Sequence, residues 1–336
     1  MEKLNRRSIV GFAGACLLGA LTSVTQAQDT FNWKMFTALG TSDVGTQLHR
    51  GFIEDLDKAS NGRLKITLYT AGELPYKATD VLRATATRQV DMAHIAGGFM
   101  SGDLPQLNAF SIPFSCTSLQ AFYDKAAPAI APIVDPVMSE KFGVTPLIHW
   151  SNPAQQIFSR TPIEGLDSLK GLKMRAWNRE QVQTMEILGG SGVSITPAEV
   201  IPALQRGVVD GAFTAYVTAV AWKIQDVVKY GYAINFTLSH ELVVINDAAL
   251  AELPEDLRTL VNNKAKEWST QYRDKVIDAS EKARTTLTDA GMTITDADQP
   301  TLDKLREVTA PIGDDWVKAN GEIAEKLLAT VRQSCS

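Results

Sequence analysis

The sequence predicts an α/β protein of about two domains. Short apolar or alternating segments typical of strands recur between amphipathic segments typical of helices, an order that favours sheets covered by helices. The chain of 336 residues is long enough for two domains, since a domain usually takes about 100–200 residues. A long amphipathic segment near the C-terminus also exceeds the width of one ordinary domain.

The alternation of strands and helices begins in the N-terminal third. Residues 31–36 predict a strand, and apolar residues over 44–56 repeat at helical spacing. Residues 64–68 alternate apolar and polar side chains, which predicts a half-exposed strand. A helix near 77–88 and a short apolar strand over 91–96 follow. This order predicts a largely parallel sheet.

The same order recurs after residue 144. Predicted strands cover 145–150, 157–159, 173–177, Ile195 and 208–213, with helices over 179–188 and 198–206 between them. Residues 254–290 predict one helix that would span roughly 55 Å at ~1.5 Å per residue and would brace two domains. A break near its middle is the alternative. A last helix is expected over about 311–331.

The N-terminus has the layout of a secretory signal. Lys3, Arg6 and Arg7 precede the apolar residues 9–24, and small residues stand around Ala27. We therefore expect cleavage after Ala27 and a periplasmic location. Arg6-Arg7 leaves the general and the twin-arginine export routes both open. No later stretch has the length of a membrane span, so no direct membrane insertion is expected.

Charge and cysteine content limit the partners and the covalent structure. The formal net charge of −5 argues against nucleic acid or an anionic membrane surface as the main partner. Cys116 and Cys335 remain after the expected cleavage. In an oxidising compartment they can form a disulfide, but two unpaired thiols are equally compatible with the sequence.

Motifs of catalysis are missing from the sequence. Four histidines, His49, His94, His149 and His240, are scattered without metal-ligand spacing. There is no G-x-S-x-G elbow, no phosphate-binding glycine loop and no H-E-x-x-H motif. The sequence therefore predicts no catalytic residues, no metal and no cofactor.

Arg175 is the clearest candidate for binding. It lies in the middle of a predicted strand, between Met174 and Ala176. Burying an arginine is costly unless an anion pairs with it, and its planar guanidinium matches a carboxylate through two parallel hydrogen bonds. The spacing alone leaves two readings open, a ligand carboxylate and an internal salt bridge.

Several aromatic residues lie near predicted strand ends, where open α/β sheets line their ligand crevice. Core packing is the default explanation for each of them. Together with Arg175 they predict an apolar pocket with one anion anchor. They are Phe99, Trp150, Trp177, Phe213 and Tyr216.

Seven short motifs follow one another along essentially the whole chain after residue 27. They are Asn61-Gly62-Arg63-Leu64-Lys65-Ile66, Ala71-Gly72-Glu73-Leu74, Gln89-Val90-Asp91-Met92-Ala93, Ile112-Pro113-Phe114, Leu169-Lys170-Gly171-Leu172-Lys173-Met174-Arg175, Ala203-Leu204-Gln205-Arg206-Gly207-Val208-Val209-Asp210-Gly211 and Glu252-Leu253-Pro254-Glu255-Asp256-Leu257. In this order and spacing the chain resembles the periplasmic substrate-binding proteins of TRAP (tripartite ATP-independent periplasmic) transporters.

The resemblance implies a two-lobed periplasmic binding protein fold, with a ligand cleft between the lobes and a long helix bracing both. Lobe I would take residues 28–157 and about 241–283, and lobe II residues 158–240 and about 284–336. Arg175 matches the arginine with which the family grips a ligand carboxylate. The resemblance further implies a monomer that captures a small carboxylate and delivers it to TRAP membrane subunits for secondary active uptake. Some relatives also bind a metal ion beside the carboxylate.

Departures from the sialic-acid-binding members predict a less polar pocket. Those members carry a second arginine near the position of Gln155, a Glu-Asn pair where Phe213-Thr214 stands, and polar residues where Gly97-Gly98-Phe99 stands. We therefore expect a monocarboxylate with an apolar or aromatic body. The predicted ligand-binding residues are Arg175, Gln155, Trp177, Phe213, Thr214, Phe99, Gly98, Tyr76, Trp150 and Tyr216.

The sequence is also compatible with two other functions. One is a binding protein for another transporter class or for a sensor kinase. The other is an exported enzyme on a similar scaffold, which would need a paired nucleophile and base.

Overall fold

A computed structural model describes residues 29–336 of the chain. The predicted export signal, with Arg6-Arg7 and the cleavage point, lies outside the described residues. Within residues 29–336, no helix is both long and apolar enough to cross a bilayer. The strands are β1 (Phe31–Phe36), β2 (Leu64–Tyr69), β3 (Met92–Ala96), β4 (Val144–Trp150), β5 (Gln155–Ser159), β6 (Lys173–Ala176), β7 (Ser191–Ser194), β8 (Gly211–Ala215), β9 (Tyr230–Ala233), β10 (Glu241–Asn246) and β11 (Thr293–Asp296).

Helices cover both sheets and connect most of the strands. They are α1 (Val44–Ala59), α2 (Val81–Ala86), α3 (Leu119–Ala121), α4 (Ala127–Phe142), α5 (Arg179–Ile187), α6 (Pro197–Gln205), α7 (Tyr216–Trp222), α8 (Asp247–Glu252), α9 (Glu255–Asp289) and α10 (Gln299–Cys335). The last of them is interrupted at Gly321, whose φ of 75° and ψ of −163° lie outside the helical region. Short 3₁₀ helices at Gly97–Met100 and Pro105–Ser111 follow β3.

The strands form two sheets. The first has the order β2-β1-β3-β10-β4 and the second β11-β9-β5-β8-β6-β7. In the first sheet β10 runs antiparallel to both β3 and β4, and in the second β5 runs antiparallel to both β8 and β9. All the other strands of each sheet run in one direction, so the expected largely parallel arrangement is present, with one antiparallel strand in each sheet. Strand–helix–strand units produce the parallel pairs, but β5 and β10 each enter from the other sheet without a crossover helix.

The chain passes twice between the sheets, from β4 to β5 and from β9 to β10. Helix α9 then bridges them, as the sequence predicts. It is one continuous helix of 35 residues, about 52 Å long at 1.5 Å per residue. Leu257 and Val276 pack in the core beside the first sheet, whereas Ala283 and Leu287 pack in the core beside the second.

Several predicted elements differ at their ends. The predicted strand over 208–213 starts only at Gly211, and the predicted helix over 77–88 is reduced to a short 3₁₀ turn followed by α2. The C-terminal helix begins at Gln299, twelve residues earlier than expected. No pattern predicts α4, which contains Pro132 and Pro136, because proline inside a helix removes a hydrogen bond and normally interrupts it.

The structure resolves the alternative left open for the two cysteines. Cys116 and Cys335 are bonded to each other, with a Cα–Cα distance of 5.2 Å. The bond attaches the end of α10 to the segment that follows the 3₁₀ helix Pro105–Ser111.

Candidate functional site

A cavity lies between the two sheets, with walls from both. It encloses about 590 Å³ of free space, part of which is open to solvent. Polar and aromatic residues make up most of its wall: His94, Phe99, Asn152, Gln155, Arg175, Trp177, Thr214, Thr218, Trp222, Ser239 and Glu241.

Arg175 lies in this wall as a buried cation without a carboxylate partner. It is the third residue of β6 and is 3% exposed. Its Nε donates to the carbonyl of Ile195 at 3.0 Å and its Nη1 to the carbonyl of Phe213 at 2.7 Å. Its guanidinium also lies 5.4 Å from the ring centroid of Trp222. These contacts fix its orientation and leave further N–H groups for the cavity.

The charge state of Arg175 follows from its burial. Burial lowers the pKa of the guanidinium to about 9, because a low-dielectric surrounding disfavours the charged form. At neutral pH the group is still a cation. Among the ion pairs of residues 29–336, none involves Arg175, so the internal salt bridge that the sequence left open does not form within that range.

Gln155 adds a second hydrogen-bond donor to the cavity wall. Gln181 Nε2 donates to Gln155 Oε1 at 2.7 Å. Gln181 is itself fixed, since its backbone N–H donates to Asn178 Oδ1 and its Oε1 accepts from the backbone N–H of Trp177. Gln155 lines the cavity, and its NH₂ group is available to donate to a ligand there. Thr214, opposite Gln156 on β8, contributes a hydroxyl to the same wall.

Aromatic rings close the sides of the cavity. Phe99 meets Trp177 edge to face, with centroids 5.7 Å apart at 81°. Gly98 lies directly against the ring of Trp177. No group among residues 29–336 accepts a hydrogen bond from the buried Nε1 of Trp177.

The opposite part of the wall contains a histidine–carboxylate pair that sequence reasoning missed. His94 Nε2 lies 2.8 Å from Glu241 Oε2 and both side chains are buried. Asn152 and Ser239 lie beside them. The available signal was Glu241 itself, a charged residue at the start of the apolar run Leu242-Val243-Val244-Ile245. Like Arg175, Glu241 is a charged residue in an otherwise apolar strand.

Five predicted residues line the cavity and the other five do not. Arg175, Gln155, Trp177, Thr214 and Phe99 line it. Gly98 lies against the ring of Trp177, and Tyr76 lines an adjoining cleft that shares Ala38, Ala78 and Pro197 with the cavity.

Trp150, Phe213 and Tyr216 are placed in the cores. Trp150 packs against His94 and Tyr272 behind the cavity. Phe213 packs on Phe236, and Tyr216 on Phe158. Phe213 and Thr214 are consecutive in β8, so their side chains point to opposite faces of the sheet. Of the two, only Thr214 lines the cavity.

The fold brings the four scattered histidines together in two pairs. His49 and His94 have ring centroids 5.0 Å apart, and His149 Nδ1 lies 2.9 Å from His240 Nε2. Burial lowers the pKa of His49 and of His240 well below the usual value. In the described part of the chain, no group of three or more histidine, cysteine, aspartate or glutamate side chains is arranged to hold a metal ion.

Comparison with known proteins identifies relatives of similar length. A model of the family described as bacterial extracellular solute-binding protein, family 7 (DctP), matches residues 38–320. The C4-dicarboxylate-binding periplasmic protein DctP of Rhodobacter capsulatus is 26% identical over 293 residues, covering 86% of this chain and 87% of that protein.

Solved structures share the fold. DctP6 of Bordetella pertussis, an extracytoplasmic solute receptor binding pyroglutamic acid, aligns with a TM-score of 0.85 and 24% identity, covering 90% of this chain and all of that chain. A TRAP periplasmic solute-binding protein from Sulfitobacter with bound β-D-galacturonate aligns with a TM-score of 0.81 and 19% identity over 90% of this chain and all of that chain. The predicted two-lobed α/β fold is confirmed.

Proposed function

The chain belongs to the bacterial extracellular solute-binding proteins of family 7, and we propose that it is the periplasmic substrate-binding component of a TRAP transporter. Its proposed ligand is a small organic acid with one carboxylate and a largely apolar or aromatic body. The monomer captures the acid and delivers it, chemically unchanged, to the membrane subunits for uptake.

One observation carries the proposal, the unpaired cation of Arg175 in the cavity wall. A buried charge is destabilising unless a counter-charge or hydrogen bonds offset its desolvation. Within residues 29–336, the guanidinium of Arg175 donates only to two backbone carbonyls and lies over one aromatic ring. A ligand carboxylate that accepts from Arg175 and from the free amide of Gln155 completes the set.

The charges around the cavity favour one carboxylate over two. Arg175 is the only lysine or arginine among the cavity-lining residues of the described chain. A second carboxylate would have no cation to meet and would approach the acidic side chain of Glu241. The side walls of Leu39, Phe99 and Trp177 suit an apolar body.

Capture is proposed to proceed by closure of the lobes over the acid. Phe99 and Trp177 belong to opposite walls and already touch, and Lys77 Nζ reaches Glu199 Oε1 at 3.1 Å across the mouth. Both partners of that ion pair are exposed, so it adds little energy. The ligand itself must favour the closed state through its contacts with both walls. The proposed lobe boundary near residue 157 falls within β5 of the second sheet.

Calorimetry with a panel of organic acids tests the proposal, together with native mass spectrometry of any co-purified acid. We expect micromolar or tighter binding of at least one small monocarboxylate. Arg175→Ala should weaken it about 30-fold or more, since removing one partner of a buried, hydrogen-bonded charge pair costs about 2–5 kcal/mol. Arg206→Ala is the matched control, because Arg206 is exposed at the end of α6.

Two results would contradict the proposal. Unchanged binding in the folded Arg175→Ala variant would remove the carboxylate anchor. Tight binding of sugar acids, with none of aromatic or branched 2-oxo acids, would overturn the apolar body and leave the transport role standing.

A further inference from the structure

Glu241 places a negative charge in the same cavity as Arg175. It is the first residue of β10, where it stands opposite Ala96 of β3 and Trp150 of β4. It is 4% exposed and lines the cavity. A carboxylate at this depth needs hydrogen-bond donors, because its desolvation destabilises the protein if it is left without them.

One oxygen of Glu241 is occupied by His94. Glu241 Oε2 accepts from His94 Nε2 at 2.8 Å, since an ionised carboxylate can only accept. On the other side of the ring, His94 Nδ1 lies 3.1 Å from Thr37 Oγ1. That hydroxyl also accepts from the backbone N–H of Leu39. His94 is therefore held between Thr37 and Glu241, and it occupies one oxygen of the carboxylate.

The second oxygen of Glu241 is open to the cavity. Among residues 29–336 no group donates to Oε1, and this atom is not one of the completely buried polar atoms. Arg175 does not pair with it, because no ion pair joins the two residues within that range. The cavity therefore contains two separate polar groups, the guanidinium of Arg175 and a carboxylate oxygen of Glu241 that can accept a hydrogen bond.

We propose that Glu241 selects ligands that carry a hydrogen-bond donor, an N–H or O–H group, in addition to the carboxylate bound by Arg175. The inference rests on the proposed function and makes its ligand more specific. A purely apolar body would cover Oε1 without replacing the water that solvates it in the open cleft. A donor at that end of the ligand forms a charge-assisted hydrogen bond instead.

A series of five-membered-ring acids tests this with nearly constant size. Proline carries an ammonium donor and pyroglutamate a lactam N–H, whereas tetrahydrofuran-2-carboxylate and cyclopentanecarboxylate carry no donor on the ring. We expect calorimetry to show that proline or pyroglutamate binds about 10-fold or more tighter than cyclopentanecarboxylate. Comparing the two donor acids then shows whether the selected group is a cation or a neutral N–H.

Glu241→Gln is the decisive variant because it keeps the side-chain shape. Its carbonyl oxygen would accept from His94 Nε2, which turns its NH₂ group toward the cavity. The donor preference should then fall to about threefold or less, or reverse in favour of the ring ether. Glu180→Gln is the matched control: Glu180 is also a glutamate that is 3% exposed, but it lines a different cleft, beside Asn108 and Trp316.

The outcomes separate this inference from the proposed function. Equal binding of all four acids, or a donor preference that persists in a folded Glu241→Gln variant, overturns the role of Glu241 and leaves Arg175 as the anchor. Absence of binding by all four acids contradicts both proposals for ligands of this size. Melting temperatures of the variants establish that they are folded.

Discussion

Gly98 and Trp177 are in contact across the cleft, and no methyl group fits between them. A Cβ added at Gly98 would lie 2.5 Å from Cζ3 of Trp177 and within 2.8 Å of two further ring atoms. Gly98 follows β3 of the first sheet, and Trp177 follows β6 of the second. The contact therefore joins the two halves of the cavity wall, and the size of residue 98 limits how closely they approach.

Gly98→Ala is expected to hinder closure. Overlap of this kind costs about 1–3 kcal/mol when a neighbour must shift, which corresponds to roughly 5- to 150-fold in affinity. Calorimetry with the tightest-binding acid should show this loss, and small-angle scattering at saturating ligand should give a larger radius of gyration than for the wild type.

A glycine nearby serves as the control for that substitution. Gly102→Ala should leave affinity and compaction unchanged, because a Cβ there meets nothing within 4 Å. If Gly98→Ala binds and compacts like the wild type, the contact between Gly98 and Trp177 does not limit closure.

Local patterns in the sequence are sufficient to predict the burial of Arg175 and the length of α9. An arginine among the apolar residues Met174, Ala176 and Trp177 can be recognised from the sequence as a candidate buried cation. The helical repeat that includes Leu257, Val276 and Leu287 likewise marks one face over the whole of α9. Both are properties of a single element.

The rest of the site depends on contacts between distant elements. His94 and Glu241 are 147 residues apart and meet only because β10 returns from the second sheet to pair with β3. The alternation of side chains along a strand explains why some aromatic residues predicted to line the cavity lie in the cores instead. A strand end alone does not show which of Phe213 and Thr214 faces the cleft, and Trp150 faces the core that contains Tyr272.

Loss of the Cys116–Cys335 bond should destabilise the protein strongly. The bond closes a loop with a sequence separation of 219 residues, and a disulfide that closes so long a loop contributes about 3–5 kcal/mol by restricting the unfolded chain. Urea denaturation with and without dithiothreitol should therefore show a lower free energy of unfolding under reduction.

The double variant Cys116→Ala with Cys335→Ala is the control for reduction. It should unfold at the lower urea concentration in both conditions and show no response to dithiothreitol. Equal stability of the oxidised and reduced wild type would mean that packing of α10, rather than the bond, holds the C-terminus in place.

Asp43 makes stability depend on pH between about 4 and 6. It is 5% exposed, and its Oδ2 accepts from the backbone N–H of Gly40 at 2.9 Å. Burial raises the pKa of Asp43 from its usual value of 3.8 to about 6. A raised folded-state pKa means that the folded protein binds the proton more tightly than the unfolded chain. The contribution to stability is therefore complete below about pH 4 and is lost as the pH rises through 6.

Asp43→Asn removes this ionisation while an amide oxygen can still accept from Gly40. The variant avoids a buried charge at high pH, so its stability relative to the wild type should be about 2 kcal/mol more favourable at pH 8 than at pH 4. Urea denaturation of both proteins at the two pH values measures the difference, and other titrating groups cancel because both proteins share them. A stability difference that is the same at pH 4 and pH 8 would show that Asp43 stays ionised in the folded protein, with its charge balanced by the hydrogen bond from Gly40 and by His94.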